Sequence, residues 1–203
     1  MMNSIANFFI VLLFASFLEV EFKGKEYKKI IELGAILSQE ETYLITPSKV
    51  GLISKGMTVS NIVEVIPENQ IQKKIGYGEF PDDTYDDYEV YDSLGNHILT
   101  VTPKTQNDST SKINRILIVS PRCRTKEGID LNSTYSELLK SYSVDEYSPD
   151  MEHVVLTVNS LNAWFSIKKT ELEADWWNEE KKEVDITKIP PESRFESISI
   201  WWN

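Results

Sequence analysis

The second half of the chain repeats a helix-start pattern of the first half. Thr134 is followed three residues later by Glu137 and then by two leucines, which is the pattern of a capping box at the start of a short helix. Thr58 stands in the same relation to Asn61, but Asn takes the place of Glu, so this earlier box is predicted to be incomplete. Pro67 is expected to end the earlier helix. Helices this short are unstable alone and must pack on a larger element.

Further segments recur in the same order after each helix. Hairpins of β-branched and aromatic residues are predicted at 88–101 and 154–167, and apolar strands follow them at 113–119 and 195–201. This shared order of helix, hairpin and strand indicates an old internal duplication with loops of different length. We therefore predict an α+β fold made of two tandem repeats. Short helices would pack on one face of a mostly antiparallel sheet.

The sequence divides into three parts. An uncharged apolar segment occupies residues 1–18, and a charged N-terminal arm occupies residues 19–42. The duplicated α+β unit covers residues 43–203, with its halves at about 43–120 and 117–203. The halves overlap because the strand that closes the first leads directly into the second, which favours one composite unit over two free domains.

The apolar segment bears on localisation. Its run from Ile5 to Leu18 is shorter than the roughly 20 residues that a membrane-spanning helix needs. It is typical of the apolar region of a secretory signal peptide, so a periplasmic or secreted protein is predicted. An uncleaved N-terminal anchor and a core helix remain the alternatives.

Composition limits the classes of function. The formal net charge of −11 argues against a surface that binds nucleic-acid phosphates. It permits a basic protein partner, whose association it would accelerate, although an acidic surface can equally serve solubility alone. The single cysteine, Cys123, allows neither an intramolecular disulfide nor a cysteine-based zinc site, and no cofactor is predicted.

An acidic and tyrosine-rich stretch, residues 79–92, is the main concentration of ionisable groups. Its aspartates lack the glycine and the spacing of a calcium-binding loop, so the preferred interpretation is a solvated loop that leads into a strand. A carboxylate-dependent hydrolase is an alternative, since clustered acids can act as general acid and base. The sequence offers no nucleophile–base pair and no phosphate-binding loop, so we expect no enzymatic activity.

Aromatic residues in charged segments are the usual anchors of protein interfaces. The candidates for a binding patch are Tyr85, Tyr88, Trp176 and Trp177. The two adjacent tryptophans have an alternative role, which is to fold back onto the core. Trp201 and Trp202 are expected to point to opposite faces of the last strand, so that one of them faces outward.

The chain resembles secreted and periplasmic bacterial proteins. Its tandem α+β halves are similar to the architecture of the β-lactamase inhibitor protein, and its Gly56-Met57-Thr58 helix start resembles small lipoproteins of outer-membrane assembly. The likeness covers about residues 43–202. It implies a non-enzymatic protein-binding or inhibitor-like protein of the bacterial cell envelope, with a structural or assembly role in the envelope as the alternative. The chain lacks the disulfides and the lipoprotein cysteine of these examples, so no functional residue is transferred.

Overall fold

The computed structural model describes residues 43–78, 80 and 82–202. The described residues all belong to one compact unit, Thr42–Asn203. The predicted signal segment at residues 1–18 and the arm at residues 19–42 therefore lie outside the described residues. Within the described part of the chain, no helix is both long and apolar enough to cross a membrane.

Fourteen strands and two α-helices make up the described fold. In chain order they are β1 (Leu44–Thr46), β2 (Lys49–Val50), β3 (Ile53–Ser54), α1 (Val59–Val65), β4 (Ile71–Tyr77), β5 (Thr84–Tyr91), β6 (His97–Pro103), β7 (Ile113–Ile118), β8 (Arg124–Thr125), α2 (Tyr135–Ser141), β9 (Glu146–Pro149), β10 (His153–Val158), β11 (Ala163–Lys168), β12 (Trp177–Asn178), β13 (Glu183–Val184) and β14 (Ser197–Trp201). The predicted α+β class is confirmed.

The main sheet has eight strands in the order β4-β5-β6-β7-β14-β11-β10-β9. Every neighbouring pair in it is antiparallel, which confirms the prediction of a mostly antiparallel sheet. Four strands come from each half of the chain, and the second four run in mirrored order. The closing strands β7 and β14 therefore pair at the centre of the sheet.

Two smaller sheets complete the fold. One has the order β3-β2-β1-β8, and its β1 and β8 pair in parallel although about 80 residues separate them in sequence. These two strands precede the two helices, so their pairing ties the helix starts together. The other is the β12–β13 hairpin, which lies in the long connection between β11 and β14.

Both helices begin at complete capping boxes. The Thr134 hydroxyl accepts a hydrogen bond from the Glu137 backbone N–H, and the Glu137 carboxylate accepts one from Thr134 N–H at 2.8 Å. At α1, Asn61 takes the role that Glu137 has at α2. Its side-chain Oδ1 accepts a hydrogen bond from Thr58 N–H at 3.1 Å. The prediction of an incomplete box at Thr58 is therefore wrong. The shorter Asn side chain still reaches the extended cap residue.

The core lies on one face of the main sheet. Residues that alternate along the strands face the same side, and at the centre these are Ile116 and Ile118 on β7 and Ile198 on β14, all fully buried. They belong to one apolar cluster together with Ile62 of α1 and Leu138 of α2. We call this side of the sheet the core face.

Both predicted hairpins and both closing strands are present, as β5–β6, β10–β11, β7 and β14. The acidic stretch differs in part from its prediction, because β5 begins at Thr84, four residues before the predicted start of the hairpin at residue 88. Alternation explains this result: Asp86 and Val90 face the core while their neighbours face away. The edge strands β4 and β9 were not predicted.

Candidate binding surface

The side of the main sheet opposite the core carries a row of aromatic and charged side chains. In sheet order the row contains Tyr85 and Asp87 on β5, Thr102 on β6, Arg115 on β7, Trp201 on β14 and Trp164 on β11. We call this row the arginine–aromatic stripe and this side of the sheet the open face. None of the six side chains belongs to the apolar core cluster. The stripe crosses five adjacent strands of the main sheet.

Arg115 is at the centre of the stripe. Strand register places it opposite Thr102 on one side and opposite Trp201 on the other. Its guanidinium carbon lies 5.1 Å from the ring centre of Tyr85 and 5.7 Å from that of Trp201, which is cation–π range on both sides. The guanidinium is thus held between two aromatic rings.

Two polar groups fix the orientation of this guanidinium. Arg115 Nη2 donates to Thr102 Oγ1 at 3.0 Å and lies 3.6 Å from Asp87 Oδ1. The Thr102 hydroxyl in turn donates to the same Asp87 oxygen. Asp87, Thr102 and Arg115 therefore form a closed polar network that fixes the orientation of the Arg115 guanidinium.

The two ends of the stripe are aromatic. Trp164 and Trp201 have ring centres 4.8 Å apart with a 40° angle between their planes, a tilted contact. Trp164 is 41% exposed, so a large apolar surface faces solvent there. At the other end, the ring of Tyr85 lies over Gly76 of β4. A Cβ at Gly76 would come within 2.1 Å of this ring, so glycine is needed for Tyr85 to hold its position.

Ion pairs flank the stripe in both halves of the sheet. Lys74 Nζ lies 2.7 Å from Glu89 Oε2, and Lys168 Nζ lies 2.7 Å from Glu196 Oε1. The Lys74 hydrogen bond is the main cause that lowers the pKa of Glu89, and the Lys168 bond is the main cause that lowers the pKa of Glu196. His153 also bonds Glu196 and contributes to that lowered pKa. The flanking carboxylates are therefore held in their charged form.

The clustered aspartates serve separate ion pairs. Asp86 is buried on the core face, where Lys73 Nζ lies 2.9 Å from its Oδ2 and Asn107 N–H donates to the same oxygen at 2.7 Å. Asp87, next in sequence, points to the open face and faces Arg115. Neighbouring residues on a strand point to opposite sides, so these two carboxylates do not share a site. Among the described residues, no three potential ligands cluster in a way that could hold a metal ion.

The four predicted binding residues are not brought together. Tyr85 lies in the stripe, whereas Tyr88 is on the core face and packs against the core cluster. Trp176 and Trp177 contact each other, with ring centres 6.0 Å apart, and both also pack against the core while staying partly exposed. Three separate locations thus replace the single patch that the sequence suggested.

The loop tryptophans line a depression of their own. It has a volume of about 450 Å³, and Pro149 and Lys169 contribute to its walls. The Lys169 ammonium lies 5.1 Å from the ring centre of Trp176. The expectation that one of Trp201 and Trp202 faces outward is met, because Trp202 is buried and Trp201 is part of the stripe.

A small, mostly apolar cavity of about 230 Å³ lies in the first half. Ile66, Val90 and Leu99 are among its lining residues, and Asp92 also contributes to the lining. The Asp92 carboxylate is already bonded to backbone N–H groups and to Arg122. The cavity therefore provides mainly apolar contacts, and its Asp92 carboxylate is already paired within the protein.

Fold and surface together define a class: an α+β protein whose described residues form an eight-stranded antiparallel sheet with a polar and aromatic face. The structure is similar to that of the uncharacterized protein yfeY from Escherichia coli, with a TM-score of 0.51 and 13% sequence identity. The match covers 78% of this chain and 99% of the yfeY chain. At this identity the likeness concerns the fold alone. No family model matches the chain, and the comparison with curated proteins gives no match.

Proposed function

We propose that this chain is a non-enzymatic protein-binding or inhibitor-like protein of the bacterial cell envelope, and that its partner docks on the open face. The observation that carries the proposal is the arginine–aromatic stripe. Tryptophan, tyrosine and arginine are the residues most enriched at the energetic centres of protein interfaces. Here they are combined in one row that lies outside the core cluster.

Preorganisation of the stripe supports binding. Arg115 is oriented by Thr102 and Asp87, and Tyr85 is oriented by its fit over Gly76. Side chains that are fixed in advance lose less conformational entropy when a partner orders them. A site on strands is also held more accurately than one on loops.

An old duplication explains how the open face arose. The mirrored strand order, the two complete capping boxes and the matching bridges Thr58↔Lys112 and Thr134↔Arg194 support two tandem repeats that face each other across β7 and β14. In this proposal both helices pack on the core face, which leaves the second face of the joined sheet for a partner.

Charge and the N-terminal sequence suggest the kind of partner and its place. A net charge of −11 favours a basic protein, whose association would be fastest at low salt. The uncharged apolar run at the N-terminus supports export into the envelope. A basic envelope protein is therefore the proposed partner.

The test is retention of a partner from envelope extract by the purified chain at low salt, followed by an affinity measurement with that isolated partner. Trp164→Ala is expected to weaken binding by about 2 kcal/mol, or roughly thirty-fold, because Trp164 is an exposed anchor of the stripe. Leu139→Ala is the matched control, since Leu139 on α2 is 45% exposed and lies outside the stripe. Equal affinity for both variants and the wild type would exclude the stripe as the docking site.

A second arm tests the loop tryptophans, which remain candidate binding residues. Replacing Trp176 and Trp177 together with alanine separates their depression from the stripe. Loss of binding in this double variant, with normal binding by Trp164→Ala, would move the docking site to the loop.

A further inference from the structure

The two outer strands of the main sheet are unequally protected against pairing with a further strand. The strand β9 is only four residues long, ends with Pro149 and lies beside β13. The strand β4 is seven residues long, contains no proline, and pairs with β5 on one side only within the described part of the chain. Proline, short length and coverage are the usual ways to block an edge, and among the described residues none of them protects β4.

The free edge of β4 presents backbone groups at alternate residues. Gly78 N–H donates to the Asp83 carbonyl at 2.7 Å, so even-numbered residues of β4 exchange hydrogen bonds with β5. The N–H and C=O groups of the odd-numbered residues Lys73, Ile75 and Tyr77 consequently point outward. This spacing suits an added antiparallel strand.

The side chains along this edge also favour pairing. Ile75 is 47% exposed and Tyr77 is largely exposed, although both are apolar or aromatic. Lysines often guard an edge, but Lys73 and Lys74 extend towards β5, where they bind Asp86 and Glu89. Their charges are thus compensated within the same molecule.

We propose that β4 pairs antiparallel with β4 of a second copy of this chain, with Ile75 opposite Ile75 at the two-fold axis. This register places Lys73 opposite the partner's Tyr77 and leaves Lys74 opposite the partner's Gly76. The Lys73 ammonium already lies 5.9 Å from the ring centre of Tyr88, and the partner's Tyr77 would add a second aromatic neighbour.

A comparison with the neighbouring register shows why the register with Ile75 at the axis is preferred. A shift by one pair would place Lys74 opposite Lys74 at the axis and Ile75 opposite Lys73, so the exposed Ile75 would lose its apolar partner. A second copy fits the edge better than an arbitrary strand because the β4 sequence is self-complementary in the chosen register, and two-fold dimers are the commonest oligomers. Two open faces would then lie on the same side of one continuous sheet.

The mass of the full-length chain across a wide concentration range tests the proposal, measured by analytical ultracentrifugation. We expect a monomer–dimer equilibrium for the wild type. Ile75→Pro removes one outward N–H without removing a bond to β5, and it is expected to shift the protein to the monomer. Ile75→Lys, which places a charge at the axis, should do the same if the proline variant does not fold.

Ile186→Lys is the matched control, because Ile186 is 48% exposed and lies far along the chain in the turn after β13. It should dimerise like the wild type. A wild type that is monomeric throughout, or a dimer that Ile75→Pro and Ile75→Lys leave intact with normal circular dichroism, would overturn the proposal.

Cross-linking tests the register itself. The native Cys123 is fully buried and its pKa is raised to about 12 by burial, so it is a poor nucleophile and leaves a clean background. Ile75→Cys should form an intermolecular disulfide under mild oxidation, whereas Ile186→Cys should not. Equal cross-linking of the two variants would reject the proposed register.

Discussion

Asp92 closes the turn of the first hairpin by accepting hydrogen bonds. Its carboxylate accepts from the N–H groups of Leu94 and Asn96, each at 2.9 Å, and from the Asn96 side chain, and it also pairs with Arg122. These bonds, the Asn96 side chain first, lower the pKa of Asp92. The folded state therefore favours the ionised carboxylate.

A pH-dependent stability follows from this lowered pKa. Ionised Asp92 stabilises the fold above its unfolded-state pKa, and the contribution disappears as the pH falls through the lower folded-state pKa. Asp92→Asn is expected to lower the free energy of unfolding at neutral pH, with a difference from the wild type that narrows in acid. Urea unfolding at a series of pH values measures this difference in the free energy of unfolding. Asp82→Asn, at an exposed position, is the control, and a pH-independent difference for Asp92→Asn would contradict the assignment.

Residues of the stripe differ in how far the sequence reveals them. Tyr85 was predicted from its acidic and aromatic neighbourhood. Arg115 and Trp164 were missed, because they lie on different strands and meet the rest of the stripe only through pairing across β7, β14 and β11. A signal for Arg115 was present: it is the one charged residue of β7, a strand that otherwise contains four apolar residues and Asn114. Its partners could not be known without the register.

At the scale of elements, the helix starts after Thr58 and Thr134 are the features that the sequence predicted best, and α2 offers a direct test of its capping box. Thr134→Ala removes both the hydroxyl acceptor for Glu137 N–H and the hydroxyl donor to the Glu137 carboxylate. We expect the free energy of unfolding to fall by about 0.5–2 kcal/mol, since alanine offers no side-chain acceptor to the Glu137 N–H. Chemical denaturation measures the change.

Thr134→Ser is the control for this prediction, because serine keeps the capping hydroxyl and should retain most of the stability. A serine variant as unstable as the alanine variant would show that the methyl group of Thr134, and not its hydroxyl, matters.

The elements that sequence missed share a physical reason. The β4 sequence contains two adjacent lysines and a glycine, so it shows neither clean alternation nor strong β propensity. The β9 sequence is short and ends in proline. Edge strands are stabilised by pairing on one side and by ion pairs such as Lys73–Asp86, and these long-range contacts leave little local pattern.

At the scale of the whole molecule, the two halves share one core. The β7–β14 pair joins them through fully buried isoleucines, and the parallel β1–β8 pair joins them again at the helix starts. All five tryptophans lie in the second half of the chain, from Trp164 onward. Tryptophan fluorescence therefore reports on the second half and, through the contacts of Trp201 with Arg115 and of Trp202 with Pro47, on its junction with the first, whereas circular dichroism reports on both halves in full.

This distribution of tryptophans allows cooperativity between the halves to be measured. Ile62 on α1 is buried in the first half, and Ile62→Ala is expected to cost about 2–5 kcal/mol through lost contacts and the cavity left behind. Because the core is shared, the midpoint seen by tryptophan fluorescence should fall together with the midpoint seen by circular dichroism. Val63→Ala, at an exposed position of the same helix, should leave both midpoints unchanged. A fluorescence midpoint that stays in place while the dichroism transition splits would mean that each half unfolds on its own.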